Sequence, residues 1–155
     1  MRFKQYISKE EEKDIQRTLE KIPSSHAKLV RGYEISFQPS NCLRGDKGHI
    51  GFIDEEKKKI VISSPWNYGR EYTLLHEVGH AVWKHMVDKR QKEEWKKILG
   101  GVRSKNKKDL DQDDEEIFCM CYAQHYAKNK LCKYDHEKLD KFISKISSSA
   151  GEDTK

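Results

Sequence analysis

No stretch of this chain approaches the ~18 consecutive apolar residues that a membrane-spanning helix requires, which excludes a helical integral membrane protein. Residues Met1 to Glu12 lack the apolar h-region of a secretory signal, so a cytoplasmic location is expected. Cysteine is sparse. Cys42, Cys119, Cys121 and Cys132 form no C-x-x-C pair, and a disulfide framework is not expected; all four read as free thiols. Cys119 and Cys121 stand two apart on a predicted helix, face opposite sides and cannot share a metal there. No internal repeat is visible. Apolar residues make up 35% of the chain against 37% charged, which gives a lean core and a heavily ionised surface. The net charge of +5 is spread through segments where lysines alternate with acids, the pattern of solvated helix faces, so nucleic acid is not an expected partner. At 155 residues the chain is long enough for one real core, and residues 1–147 are read as a single domain followed by a disordered tail, 148–155.

What the chain does contain is His76-Glu77-Val78-Gly79-His80, an H-E-x-x-H motif. Helical positions four apart sit about 40° from each other on one face, so His76 and His80 can reach one metal ion. Glu77 can then hold a water on that metal and take its proton. Leu74, Leu75, Val78, Ala81 and Val82 surround the motif with apolar side chains and would bury most of the helix. The expected cofactor is Zn2+, and the expected chemistry is metal-assisted peptide hydrolysis.

The rest of the chain frames that helix. Ser8 to Lys21 reads as an amphipathic helix, with Ser8 as cap, Glu10 to Glu12 in the first turn, and Ile15, Leu19 and Ile22 at helical spacing. Pro23-Ser24-Ser25 ends it. The segment Ala27 to Gln38, with Leu29-Val30 and the alternation from Tyr33 to Phe37, predicts a strand. A short strand around His49 to Ile53, a polar connection and Ile60-Val61-Ile62-Ser63 predict a β-hairpin. The motif helix is expected over Arg70 to Val87, and an exposed one over Asp88 to Leu99 that Gly100-Gly101 stops. A basic loop, Val102 to Gln112, precedes a helix over Asp113 to Lys128, and a last helix covers Tyr134 to Ile146. The fold class is α+β: an N-terminal helix, a small sheet of about three strands, then helices. Strands followed by an H-E-x-x-H helix give the layout of a minimal zincin-like lobe, whose edge strand can bind an extended peptide by strand addition.

A catalytic zinc takes three protein ligands and keeps one position for water. The pattern H-E-x-x-H-x-x-G-x-x-H fails, because Trp83 and Met86 occupy its last glycine and histidine. His85 lies about 180° from His76 on the helix and points away. The remaining source is a carboxylate from the acidic start of the later helix, Asp113-Asp114-Glu115-Glu116. Glu116 shares a face with Cys119, Met120, Ala123 and Ala127, the small and apolar side that packs inward. It is the leading candidate, with Asp113 and Glu115 as alternatives.

The run Leu74-Leu75-His76-Glu77-Val78-Gly79-His80-Ala81, with Glu116-Ile117-Phe118-Cys119-Met120-Cys121-Tyr122 downstream, resembles the protease domain of the anthrax lethal factor family, which includes the bacterial Pro-Pro endopeptidases. The upstream hairpin is similar too, and the resemblance spans roughly residues 12 to 130. It implies a gluzincin-type metallopeptidase with His76, His80 and Glu116 as zinc ligands and Glu77 as general base. Two departures stand out. Cys119 and Met120 occupy places where the family has Ala and a second Glu. Asp109 stands where the family has a catalytic tyrosine, which leaves Tyr68, Tyr72 and Tyr122 as candidates to stabilise the oxyanion. Two other readings fit the motif. One is a regulatory protease of the ImmA type that cleaves a repressor of a mobile element. The other is a catalytically inactive zinc-binding interaction domain, whose closed four-ligand site would add Cys119 or His125.

Overall fold

Ser8 begins the first helix with both halves of a capping box. Its Oγ accepts from the Glu11 backbone N–H at 3.1 Å, and the Glu11 carboxylate accepts from the Ser8 N–H at 3.0 Å. This satisfies two of the donors that a helix start leaves unpaired. The computed structural model describes residues 2–3, 8–37, 51–62, 70–103, 113–127 and 137–152. In chain order the elements are β1 (Arg2–Phe3), α1 (Lys9–Glu20), α2 (Ser24–Val30), β2 (Glu34–Phe37), β3 (Gly51–Asp54), β4 (Lys59–Ile62), α3 (Arg70–Met86), α4 (Lys89–Arg103), α5 (Asp114–Tyr126) and α6 (Glu137–Glu152). The α+β class is as expected.

The sheet runs β1-β2-β4-β3 and is mixed. β1 pairs parallel with β2 and β2 parallel with β4, while β3 and β4 form the antiparallel hairpin. β4 supplies the apolar centre: Ile60, Val61 and Ile62 are all buried. The hairpin turn holds the one non-glycine residue with positive φ among those described, Lys58 at 52°, and the Asp54 carboxylate accepts the Lys57 N–H at 3.0 Å, the local bond that lets Asp nucleate a turn. β3 is, with β1, an edge of the described sheet. Its Phe52, 43% accessible, is the exposed large hydrophobe of the described residues.

Three expectations change. Leu29 and Val30 belong to the short helix α2, not to a strand, because Pro23 starts a turn whose carbonyl accepts from both His26 and Ala27 N–H groups. That helix buries His26 and Val30, four apart on one face. α4 does not stop at Gly100-Gly101 but continues to Arg103; buried Trp95 and Leu99 hold it against the core, and tertiary packing overrides the low helix propensity of glycine. α6 extends to Glu152, past its expected end at Ile146.

The core lies between the sheet and the later helices, with α3 at its centre. α3 packs most extensively on α5 and also meets α1, α2 and both hairpin strands. An aromatic cluster closes the far side, with Trp95 and Phe118 ring centroids 5.6 Å apart and Trp95 and Phe142 5.0 Å apart. The Trp95 indole N–H donates to the Asp114 carbonyl at 2.9 Å and pins α4 to the first turn of α5. Cys119 and Cys121 are buried free thiols; Cys42 and Cys132 lie outside the described residues. Among the described residues no helix is long and apolar enough to cross a membrane.

One buried polar pair fixes a pH dependence. His26 is fully buried and its Nδ1 lies 2.9 Å from the Tyr122 hydroxyl. Burial pushes its pKa down from near 6.5 to about 4, because the low-dielectric interior disfavours the charged imidazole. At pH 7 both folded and unfolded chains hold this histidine neutral. As the pH falls through 6.5 the unfolded chain takes up a proton that the folded chain resists until about 4, so stability is lost across that window. The loss amounts to about 3 kcal/mol at most. Urea unfolding at pH 7 and pH 5 should show a larger drop for wild type than for His26→Leu; equal drops in the two proteins would remove His26 as the cause.

Candidate metal centre

The site grows from two helices that touch where one of them has no side chain. Gly79 sits inside the motif of α3, and a Cβ built there would lie 3.1 Å from Cys119 Cα on α5. A glycine inside a helix destabilises it by roughly 0.5–1 kcal/mol relative to alanine, so its presence mid-motif was a readable sign of close helix approach. That approach carries the first turn of α5 over the histidine face of α3. His76 Nε2 lies 3.0 Å from Glu116 Oε2, and His80 Nε2 lies 3.1 Å from Glu116 Oε1. The two rings meet edge to face with centroids 5.3 Å apart.

Of the sequence candidates, His76, His80 and Glu116 are brought together. Their ligand atoms all lie within 4.8 Å of one another, and they form the metal-capable group found among the described residues. The 3.0 and 3.1 Å contacts run to the two different oxygens of Glu116, and two imidazoles with one carboxylate are a donor set that zinc takes. The donor set therefore fits the ion. Asp113, one alternative ligand, is instead the N-cap of α5, its Oδ1 accepting the Glu116 N–H at 2.8 Å. Glu115, the other, meets His80 from the opposite side: its Oε2 lies 2.6 Å from His80 Nδ1. His85 points elsewhere, to Glu55 at 3.1 Å.

The donors that would close the site are engaged differently. His125 Nδ1 is paired with Asp140 of α6 at 2.5 Å. Cys119 contacts His80 but lies outside the group of three. Burial pushes the Cys119 thiol up to about 12. Electrostatics around the trio are strongly coupled. Burial alone would depress His80, but hydrogen bonds to Cys119, Glu115 and Glu116 outweigh it and raise its pKa. Hydrogen bonds to His76 and His80 lower that of Glu116 well below the usual carboxylate range.

Glu77 lies within the protein, 3% accessible. Its Oε2 would be 3.4 Å from a Cβ on Gly51, whose other close neighbours are Val61 O at 2.8 Å and Thr73 Cγ2 at 3.0 Å. Gly51 thus lets the first residue of the edge strand sit directly against the helix that bears Glu77. Sequence reasoning found a glycine-bearing strand but not this contact. Of the tyrosines, Tyr72 is buried with its ring 6.4 Å from that of His76. Tyr122 is engaged with His26, and burial raises its pKa. Tyr68 lies outside the described residues.

Comparison with known proteins returns no match to the chain among protein-family profiles, curated protein sequences or solved structures.

Proposed function

We propose that the chain is a zinc-dependent metallopeptidase of the cytoplasm, of the gluzincin type that its motifs resemble. The observation that carries the reading is the convergence of one ligand atom each from His76, His80 and Glu116 within 4.8 Å of one another, beside a buried acid, Glu77, on the helix of the two histidines. A zinc ion held there supplies Lewis acidity to a water molecule and to the scissile carbonyl. His76 and His80 would hold the ion through ring nitrogens that give up their protons to it. Glu77 takes the proton from water and passes it to the leaving amine. The outer edge of β3 offers its backbone groups to a peptide or protein substrate in extended form, beginning at Gly51 beside the Glu77 carboxylate.

Zinc stoichiometry and a peptide-library cleavage assay test the reading together. Wild type should bind one zinc per chain and cut peptides, and Glu116→Gln should lose zinc by at least tenfold in affinity. Asp113→Asn, which retains a capping oxygen, should bind like wild type. Zinc loss confined to Asp113→Asn would overturn the ligand set.

A further inference from the structure

We propose that Glu115 is a positioning residue that fixes the ring of His80 for metal binding. This rests on the metal-centre reading above and concerns a bond on the far side of the imidazole. His80 is gripped at both nitrogens by consecutive residues of α5: Glu116 Oε1 lies 3.1 Å from Nε2, and Glu115 Oε2 lies 2.6 Å from Nδ1. Consecutive helix positions diverge by about 100°, so the two carboxylates reach round the ring instead of competing for one nitrogen. With Glu115 accepting the Nδ1 proton, Nε2 can give its lone pair to a metal in exchange for the proton it shares with Glu116. An acceptor on the outer nitrogen selects that tautomer, holds the ring plane and makes the inner nitrogen a stronger donor.

The alternative for Glu115 is the general one for an acid in a first helical turn, favourable interaction with the helix dipole. Geometry separates the two. Asp113, Asp114, Glu115 and Glu116 share that turn and its field, but Glu115 sets a carboxylate oxygen against His80 Nδ1, whereas Asp113 caps the helix and Glu116 faces Nε2. The Glu115 side chain is 43% exposed, so its carboxylate is held at the ring although solvent is open to it.

The test measures zinc affinity by competition with a chromophoric chelator for wild type, Glu115→Ala, Glu115→Gln and Asp114→Asn. Loss of an outer-shell partner typically weakens metal binding about 10- to 100-fold. Glu115→Ala should fall in that range and Glu115→Gln, which keeps an acceptor oxygen, less. Asp114→Asn removes a charge from the same turn and should stay within about twofold. A second readout uses the cobalt(II)-loaded proteins, where ring N–H protons of ligating histidines resonate outside the diamagnetic envelope. The His80 Nδ1 proton should be visible in wild type and lost to solvent exchange in Glu115→Ala, with the His76 signals retained. Wild-type affinity in Glu115→Ala, or equal losses in Glu115→Ala and Asp114→Asn, overturns the inference alone. Failure of wild type to take up zinc or cobalt overturns it together with the metal centre.

Discussion

Glu77→Gln is expected to lower peptide hydrolysis by about 10²- to 10⁴-fold, the contribution of a positioned general base, while zinc stays bound one to one. The substitution keeps the shape of a side chain that is almost wholly buried, so folding should be little disturbed and the loss falls on chemistry. Glu77 is not one of the three convergent donors, which is why affinity and turnover should separate. The amide has no basic oxygen for the water's proton. Parallel measurement of zinc content and of kcat/KM on a cleavable peptide decides the matter. Wild-type turnover in the glutamine variant would falsify the assigned mechanism, and zinc loss in it would instead make Glu77 a ligand.

Gly79→Val should damage both the fold and the site. Cys119 Cα, Cβ and Sγ all lie within 3.4 Å of where a single added carbon would stand, and two of these atoms cannot rotate away. Overpacking of this kind typically destabilises by about 1–3 kcal/mol. The relief available is for α5 to move out, and α5 carries Glu115 and Glu116. Zinc affinity should therefore fall more than tenfold even though no ligand has been altered. Gly100→Ala is the matched contrast. Gly100 also lies in a helix, but nothing stands within 4 Å of the added carbon, so that variant should gain roughly 0.5–1 kcal/mol from helix propensity alone. Thermal melts and chelator competition on the two variants read the difference. A Gly79→Val protein with wild-type zinc affinity would show that the helices have room to spare.

Much of this arrangement was legible because periodic apolar residues report burial directly. Leu74, Leu75, Val78, Ala81 and Val82 are all buried on α3, and Ser8 caps α1 where the sequence placed it. Glu116 could be ranked first because its helical neighbours are small and apolar. Other features were hidden for physical reasons. The α2 helix has seven residues, too short for its period to stand out against the β-branched Val30. Gly100 and Gly101 carry the propensity of a helix end, but Trp95 and Leu99 hold the segment from the buried side. The contact Glu115 makes could not be read at all: four consecutive acids look alike in a first turn, and only the relative placement of α3 and α5 separates a cap, a ring partner and the third member of the trio.

The trio draws two of its members from α3 and one from α5, and between them the chain must pass through α4 and the residues that follow it. An ion at this place would work as a removable clasp across that long excursion, drawing its strength from the concentration of free metal. A ligand present at a thousand times its dissociation constant adds about 4 kcal/mol to the folded state, comparable to a good part of a small domain's margin. On the proposed reading, a metal-free chain would lack that increment and be shorter-lived in a cell that clears unfolded chains.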